Sequence, residues 1–311
     1  MLGATRFLVR PPPLPGESLS SWRQRLGWAN GYRLYPVKDE RTRRTDPDLQ
    51  ISEAEATWLE ALSLTNQASI QGLTLRGAKL VPAGRDRHPI WVIPCRTQKT
   101  GVWGSGVCPA CLENDEIPYI RLEWRLGYVV ACPLHSQWLL DACPNCKRAI
   151  WPTGYGVART LHASHTSHAH CWACGFDLRL SSSPGYGAAQ APQNTLIALR
   201  SCLGAAVDSA TSDEVLLRGL HELCQLVIRL NKSDRIHKEH MVELMPIEDR
   251  RAAITSALDW LQDFPNGLQA AAKKHGFSRT NFNGRYGLLP AWLRRAVDHD
   301  LAKQKRRSAG T

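Results

Sequence analysis

Four ligand pairs constrain this chain more than any other feature: Cys108-x-x-Cys111, Cys132-x-x-His135, Cys143-x-x-Cys146 and Cys171-x-x-Cys174. Two residues between ligands let the backbone turn tightly enough to aim both side chains at one ion. Two such turns complete a tetrahedral site, so the spacing predicts two zinc ions. Lone cysteines are commonly small core hydrophobes, but that reading does not account for four pairs at one spacing. Sequential pairing gives one site as Cys108, Cys111, Cys132 and His135 and the other as Cys143, Cys146, Cys171 and Cys174, closing each ribbon locally. A cross-braced order, first pair with third and second with fourth, is the alternative. Either way each ion has four candidate ligands and lacks the open position a catalytic zinc keeps, so both ions read as structural.

The rest of the chain offers no catalytic constellation. A zinc deaminase needs a His-x-Glu ahead of its cysteines, whereas His221 and Glu222 are adjacent and follow them. There is no phosphate-binding Gly-rich loop and no nucleophile elbow. The expectation is a non-enzyme. No apolar run reaches the ~18–20 residues of a membrane span and no secretory leader is visible, so a cytoplasmic location and reduced thiols are expected. Lys and Arg total 39 against 28 acids, a formal charge of +11. Seven thiolates and two divalent ions would bring this to about +8, still basic enough to favour a polyanionic partner.

Periodicity places helices on both sides of the cysteines. After the extended Pro11-Pro12-Pro13-Leu14-Pro15-Gly16, Ser18 caps a helix with Leu19, Trp22 and Leu26 on one face, stopped by Asn30-Gly31. A polar loop over 38–48 carries Arg41, Arg43 and Arg44. Ser52 and Glu55 make a capping box ahead of Trp58, Leu59 and Leu62; a turn at Ser63–Thr65 leads to a short helix with Ile70 and Leu73 inward. The pair is like a helix-turn-helix, as any small helical bundle is.

Trp91–Pro94 reads as a short strand among Arg76, Lys79, Arg85, Arg87, Arg96 and Lys99, and a helix is conceivable over 119–126. Trp124, Trp138, Trp151 and Trp172 are expected to supply the core the ribbons lack, and His162, His165, His168 and His170 to lie on a solvated loop. Cys202 and Cys224 read as core residues, while Cys95 has no paired neighbour. A linker runs from Ser181 to Pro192. Helical signal resumes at Leu196, Leu199 and Leu203, at Leu216 to Leu230, at Ile254, Leu258 and Leu261, and at Leu288 to Leu301, before the basic Lys303, Lys305, Arg306 and Arg307. The expected class is mainly α with small β zinc ribbons: an HTH-like helical domain over 1–80, a tandem zinc-ribbon domain over 81–180 and a helical domain over 190–311.

Several of these motifs together resemble the TniQ family of transposition proteins. They are Pro13-Leu14-Pro15-Gly16-Glu17-Ser18-Leu19-Ser20-Ser21-Trp22 with Arg25-Leu26 and Asn30-Gly31, then Cys108-Pro109-Ala110-Cys111-Leu112, Asp115, Pro118-Tyr119 and Trp124-Arg125. Cys132-Pro133-Leu134-His135, Leu139-Leu140 and Cys143-Pro144-Asn145-Cys146 continue the match, over roughly 8–178. The resemblance implies the same eight zinc ligands, an N-terminal helix-turn-helix and a role in target selection. In that role the protein recruits an AAA+ ATPase and is bound, in CRISPR-associated transposons, to an RNA-guided effector, often as a dimer. DNA contact is expected to be weak or indirect. A zinc-ribbon, sequence-specific transcription regulator is the alternative.

Overall fold

The computed structural model describes residues 6–31, 34, 46–81, 89–93, 105–150, 167–181, 195–231, 241–282 and 289–301. Arg41, Arg43, Arg44, Arg85, Arg87, Pro94, Cys95, Arg96, Lys99, Trp151, His162, His165, the linker after Ser181 and the basic residues 303–307 lie outside them. The chain divides into two units, Met1–Ala189 and Gln190–Thr311.

The first unit opens on α1, Leu19–Ala29, where the Ser18 side chain accepts from the Ser21 amide and Gly31 follows in the left-handed region. Leu19, Trp22 and Leu26 are fully buried against Leu59, Ile70 and Leu73. The stripe spaced three and four residues apart is the face that forms the core. α2, Glu53–Ser63, begins at Ser52, which accepts from the Glu55 amide. The expected capping box is half made, because the Glu55 carboxylate is taken by Arg23 at 2.7 Å. Leu64 turns the chain at φ 61 and Asn66 caps α3, Gln67–Gly72.

Polar pairs support this unit from inside. Arg125, fully buried, donates to Asp48 at 2.6 Å, to Asp46 at 2.5 Å and to the Ile93 carbonyl at 2.7 Å. Asp48 in turn accepts from the Ser20 amide at 2.7 Å. Arg25 grips both oxygens of Glu17, at 2.8 and 2.6 Å, and Ser21 donates to the same carboxylate. Burial pushes the Asp46 carboxyl up, with Arg125 opposing.

The cysteine segment contains α4, Pro109–Asn114, a 3-10 turn at Leu122–Arg125 in place of the longer helix conceivable there, and the hairpin β1, Ala131–Cys132, with β2, Gln137–Trp138. The strand expected at Trp91–Pro94 reduces to one bridge, Val92 with Leu126. Trp91 sits at φ 66, a conformation that an extended run does not tolerate. Trp124 is buried as expected, while Trp138 and Trp172 are half-buried.

The described α-helices of the second unit are α5 (Thr195–Leu203), α6 (Asp213–Asn231), α7 (Ile247–Leu261), α8 (Asn266–His275) and α9 (Ala291–Asp300). α6 buries Leu216, Leu220, Leu223, Cys224 and Leu226 completely, and Gly219 lets Trp292 of α9 approach: a Cβ there would lie 2.1 Å from the indole. Cys224 is core, as expected; Cys202 is half-buried. α8 has no counterpart in the sequence reading, because its inward face is Leu268 with the small Ala271 and Ala272. No described helix is long and apolar enough to cross a membrane.

Candidate metal centres

The same local structure recurs three times. Cys132, Cys143 and Cys171 each open a tight hairpin whose fifth residue is left-handed: Ser136 at φ 48, Lys147 at φ 60 and Gly175 at φ 74. In the second and third hairpins the amide of that residue donates to the cysteine carbonyl, at 2.8 and 2.9 Å, and the cysteine amide donates one residue further on, to Arg148 and Phe176. In the first, Cys132 pairs with Gln137 in the β1–β2 register. A chain folded back this sharply brings the first and fourth side chains to one point. The remaining pair is built differently: Cys108 occupies the N-cap position of α4, Pro109 takes the first turn where its missing N–H costs nothing, and Cys111 follows on the same turn.

Two four-membered clusters result, with ligand atoms within 4.8 Å of one another in each. One is Cys108, Cys111, Cys132 and His135; the other is Cys143, Cys146, Cys171 and Cys174. The side chains therefore converge in the sequential order and not the cross-braced one. In the first, Cys111 Sγ lies 3.5 Å from Cys132 Sγ, and His135 Nδ1 lies 3.7, 3.3 and 3.6 Å from the three sulfurs. In the second, Cys143 Sγ is 3.7 Å from Cys174 Sγ and Cys146 Sγ is 3.7 Å from Cys171 Sγ. A disulfide needs about 2.05 Å, so these are thiols. Tetrahedral ligands at the usual Zn–S length of ~2.3 Å have S···S edges of about 3.8 Å, which the observed spacings approach. Both clusters can hold a metal ion, and their donor sets suit a thiophilic one.

Without a cation the crowded thiols divide their protons unequally. Hydrogen bonds from Cys108 and Cys111 hold Cys132 far below the ordinary thiol range, and the same network pushes Cys111 far above it. Cys108, Cys111 and Cys132 would bind a divalent ion as thiolates.

Two supporting contacts had no visible signal beyond their nearness to a ligand. His135 Nε2 lies 2.9 Å from the Asn114 side-chain amide. With Nδ1 on a metal, Nε2 would carry the hydrogen, and the Asn114 amide, which here turns its Nδ2 to the ring, would present its oxygen instead and fix the ring. The Asn145 side chain donates to Cys174 Sγ at 3.6 Å. Arg121, held by Asp115 at 3.0 and 2.8 Å over the Tyr119 and Trp124 rings, adds positive charge near Cys111.

The histidines before Cys171 correct an expectation. His168 is not on a solvated loop: it is buried, its ring packs at a tilt 4.8 Å from the Trp28 ring, and it donates from Nε2 to the Ser21 carbonyl at 3.2 Å. Burial pushes its pKa down to about 4. His170 is half-buried and belongs to neither cluster.

The TniQ family model matches residues 8–139. The chain carries a TniQ domain. A TniQ domain marks a transposition-associated protein, and here it spans α1 to α4 and the whole of the first cysteine cluster. It ends short of the expected 178, leaving the second cluster and the entire second unit outside the match. No curated protein matches the chain.

Proposed function

We propose that this TniQ protein is a non-enzymatic adaptor in target-site selection for DNA transposition. It joins a targeting component, either an RNA-guided CRISPR effector or the target DNA itself, to an AAA+ ATPase. Two structural Zn2+ ions hold its first unit, one on Cys108, Cys111, Cys132 and His135 and one on Cys143, Cys146, Cys171 and Cys174. The observation that carries the reading is the TniQ match over a segment whose only clustered metal donors, among the described residues, form a complete four-ligand set. Four protein ligands leave no coordination position for substrate, which supports scaffolding over metal catalysis. Zn2+ is favoured over other ions because cysteine-rich tetrahedral sets select it in structural sites.

The test is an affinity pull-down of the tagged full chain from its host, with bound proteins and nucleic acids identified. Recovery of an AAA+ ATPase, with or without effector subunits and guide RNA, is the expected result. Enrichment of one promoter DNA with no ATPase would instead favour a zinc-ribbon transcription regulator. The oligomeric state of the recovered complex decides whether the adaptor works as a homodimer.

A further inference from the structure

The helix pair that the sequence offered for DNA reading, α2 with α3, is electrostatically unsuited to it. α2 carries Glu53, Glu55 and Glu60 and no Lys or Arg, and α3 carries no charge at all. The second unit contains a basic alternative, α8 followed by a tight turn and a short 3-10 segment. α8 ends at Gly276, in the left-handed region at φ 70, and the Phe277 amide returns to the Ala272 carbonyl at 3.1 Å. The chain then reverses. The Ser278 amide donates to Asn281 Oδ1 at 2.8 Å, opening the 3-10 turn Arg279–Phe282. Ala272, Phe277 and Phe282 are buried, and the Trp260 ring packs 5.0 Å from Phe277. A small buried residue four before a left-handed glycine, with apolar anchors after it, is what a tight angle between two helical segments demands.

The outward side of this hairpin is basic. Asn266, Ala270, Lys273, Lys274 and Thr280 are exposed. Residues 264–297 include Lys273, Lys274, Arg279, Arg285, Arg294 and Arg295 and not one Asp or Glu, with Asp263, which accepts from Asn266 at 3.3 Å, and Asp298 at its two borders. Arg279 is paired with Asp298 of α9, at 3.4 Å. The Phe277 and Phe282 rings of the described hairpin are buried, and its one exposed ring, His275, lies 5.5 Å from the Trp260 ring, so the hairpin offers little of the open aromatic platform by which single strands are held. A helical hairpin whose outward lysines face solvent suits the regular phosphate backbone of a duplex.

We propose that α8 and the turn after it form a duplex-DNA docking surface, with Lys273 and Lys274 as the phosphate contacts. The surface lies outside the TniQ match and does not depend on the adaptor reading: its failure would leave recovery of the ATPase unchanged.

The experiment measures binding of the zinc-loaded full chain to a fluorescent mixed-sequence duplex by anisotropy across a salt series. Lys273→Glu/Lys274→Glu is expected to weaken binding at least roughly tenfold near 0.1 M salt and to flatten the log–log salt slope by about 2, one unit for each lost phosphate contact. Arg6→Glu/Lys79→Glu, an equal charge change on exposed residues of the first unit, is expected to leave affinity within about twofold. Lys273→Gln/Lys274→Gln replaces the reversal should that variant misfold, with a loss in the same direction. The proposal is overturned if the wild type does not bind duplex, if the lysine variants keep its affinity and slope, if the control pair is equally damaging, or if single-stranded RNA binds more tightly than the duplex.

Discussion

In the second unit α6 runs for 19 residues and buries 12 of them. In the first, no described helix exceeds the 11 residues of α1 and α2, and the cysteine segment has strands of two residues. Long amphipathic helices bury a continuous apolar face and settle their own hydrogen bonds, so α6 and α7 hold each other without further aid. Short elements leave loops whose order costs conformational entropy that a small core does not repay. The first unit meets that cost with buried arginine–carboxylate pairs and with eight converging metal donors. The lesson is that the two halves fail differently: one through loss of polar and coordinate bonds, the other through cavities.

Metal removal should separate them most sharply. Structural zinc contributes about 10–16 kcal/mol of apparent binding free energy, comparable with or above the whole stability of a domain. Chelation of the full chain is expected to abolish hydrogen-exchange protection over 105–150 and 167–181 while α6 and α7 keep theirs. Cys143→Ser, which removes one donor of the second cluster, is expected to bind fewer than two zinc ions and to melt the first unit early. Two bound ions and an unchanged melting profile in that variant would break the contrast.

The buried charges give the next largest effect. Arg125→Met leaves Asp46 and Asp48 in the interior without their cation, and a stranded buried charge costs about 3–5 kcal/mol. Leu220→Ala, at a fully buried position of α6, is expected to cost about 2–5 kcal/mol through an ordinary cavity. The two are told apart by acid: protonating Asp46, whose carboxyl burial already pushes up, recovers part of the Arg125→Met loss, and nothing recovers Leu220→Ala. A loss under about 1 kcal/mol in Arg125→Met would mean that apolar packing alone holds the first unit.

Which features were legible in the sequence follows from how far apart the interacting residues lie. The knuckles are local, and two residues between ligands nearly determine the turn, so the clusters could be read from spacing. α1, α2, α6 and α7 show in periodicity because large apolar side chains mark their buried faces. α8 does not, since alanines are a faint signal. Arg125 with Asp46 and Asp48 joins residues 79 and 77 positions apart, and His168 finds its carbonyl acceptor 147 positions away. No local pattern marks such contacts, which is why His168 read as solvated.

The smallest effect, and the most specific, is a pair of opposite pH responses. His168 in the first unit has its pKa pushed down to about 4 by burial, against an ordinary 6.5. The unfolded chain therefore takes up a proton that the folded one refuses. Stability on this account is full above pH ~6.5 and is lost as pH falls towards 4. His221 in the second unit is the reverse. Burial alone would lower it, but hydrogen bonds and charge from Glu222 and Glu243, the latter 2.8 Å away, raise it to about 9. Its contribution is full below pH ~6.5 and is lost as pH rises towards 9. Each shift is worth about 3 kcal/mol. Calorimetric melts from pH 4 to 9 should show one transition weakening in acid and the other in alkali. Metal release also weakens the first unit in acid, so the decisive comparison is His168→Gln with wild type. That variant keeps a donor for the Ser21 carbonyl but no titrating group, and its acid slope should be shallower. Likewise His221→Gln should flatten only the alkaline limb; if it instead flattened the acid limb, the two histidines would not be titrating as their surroundings dictate.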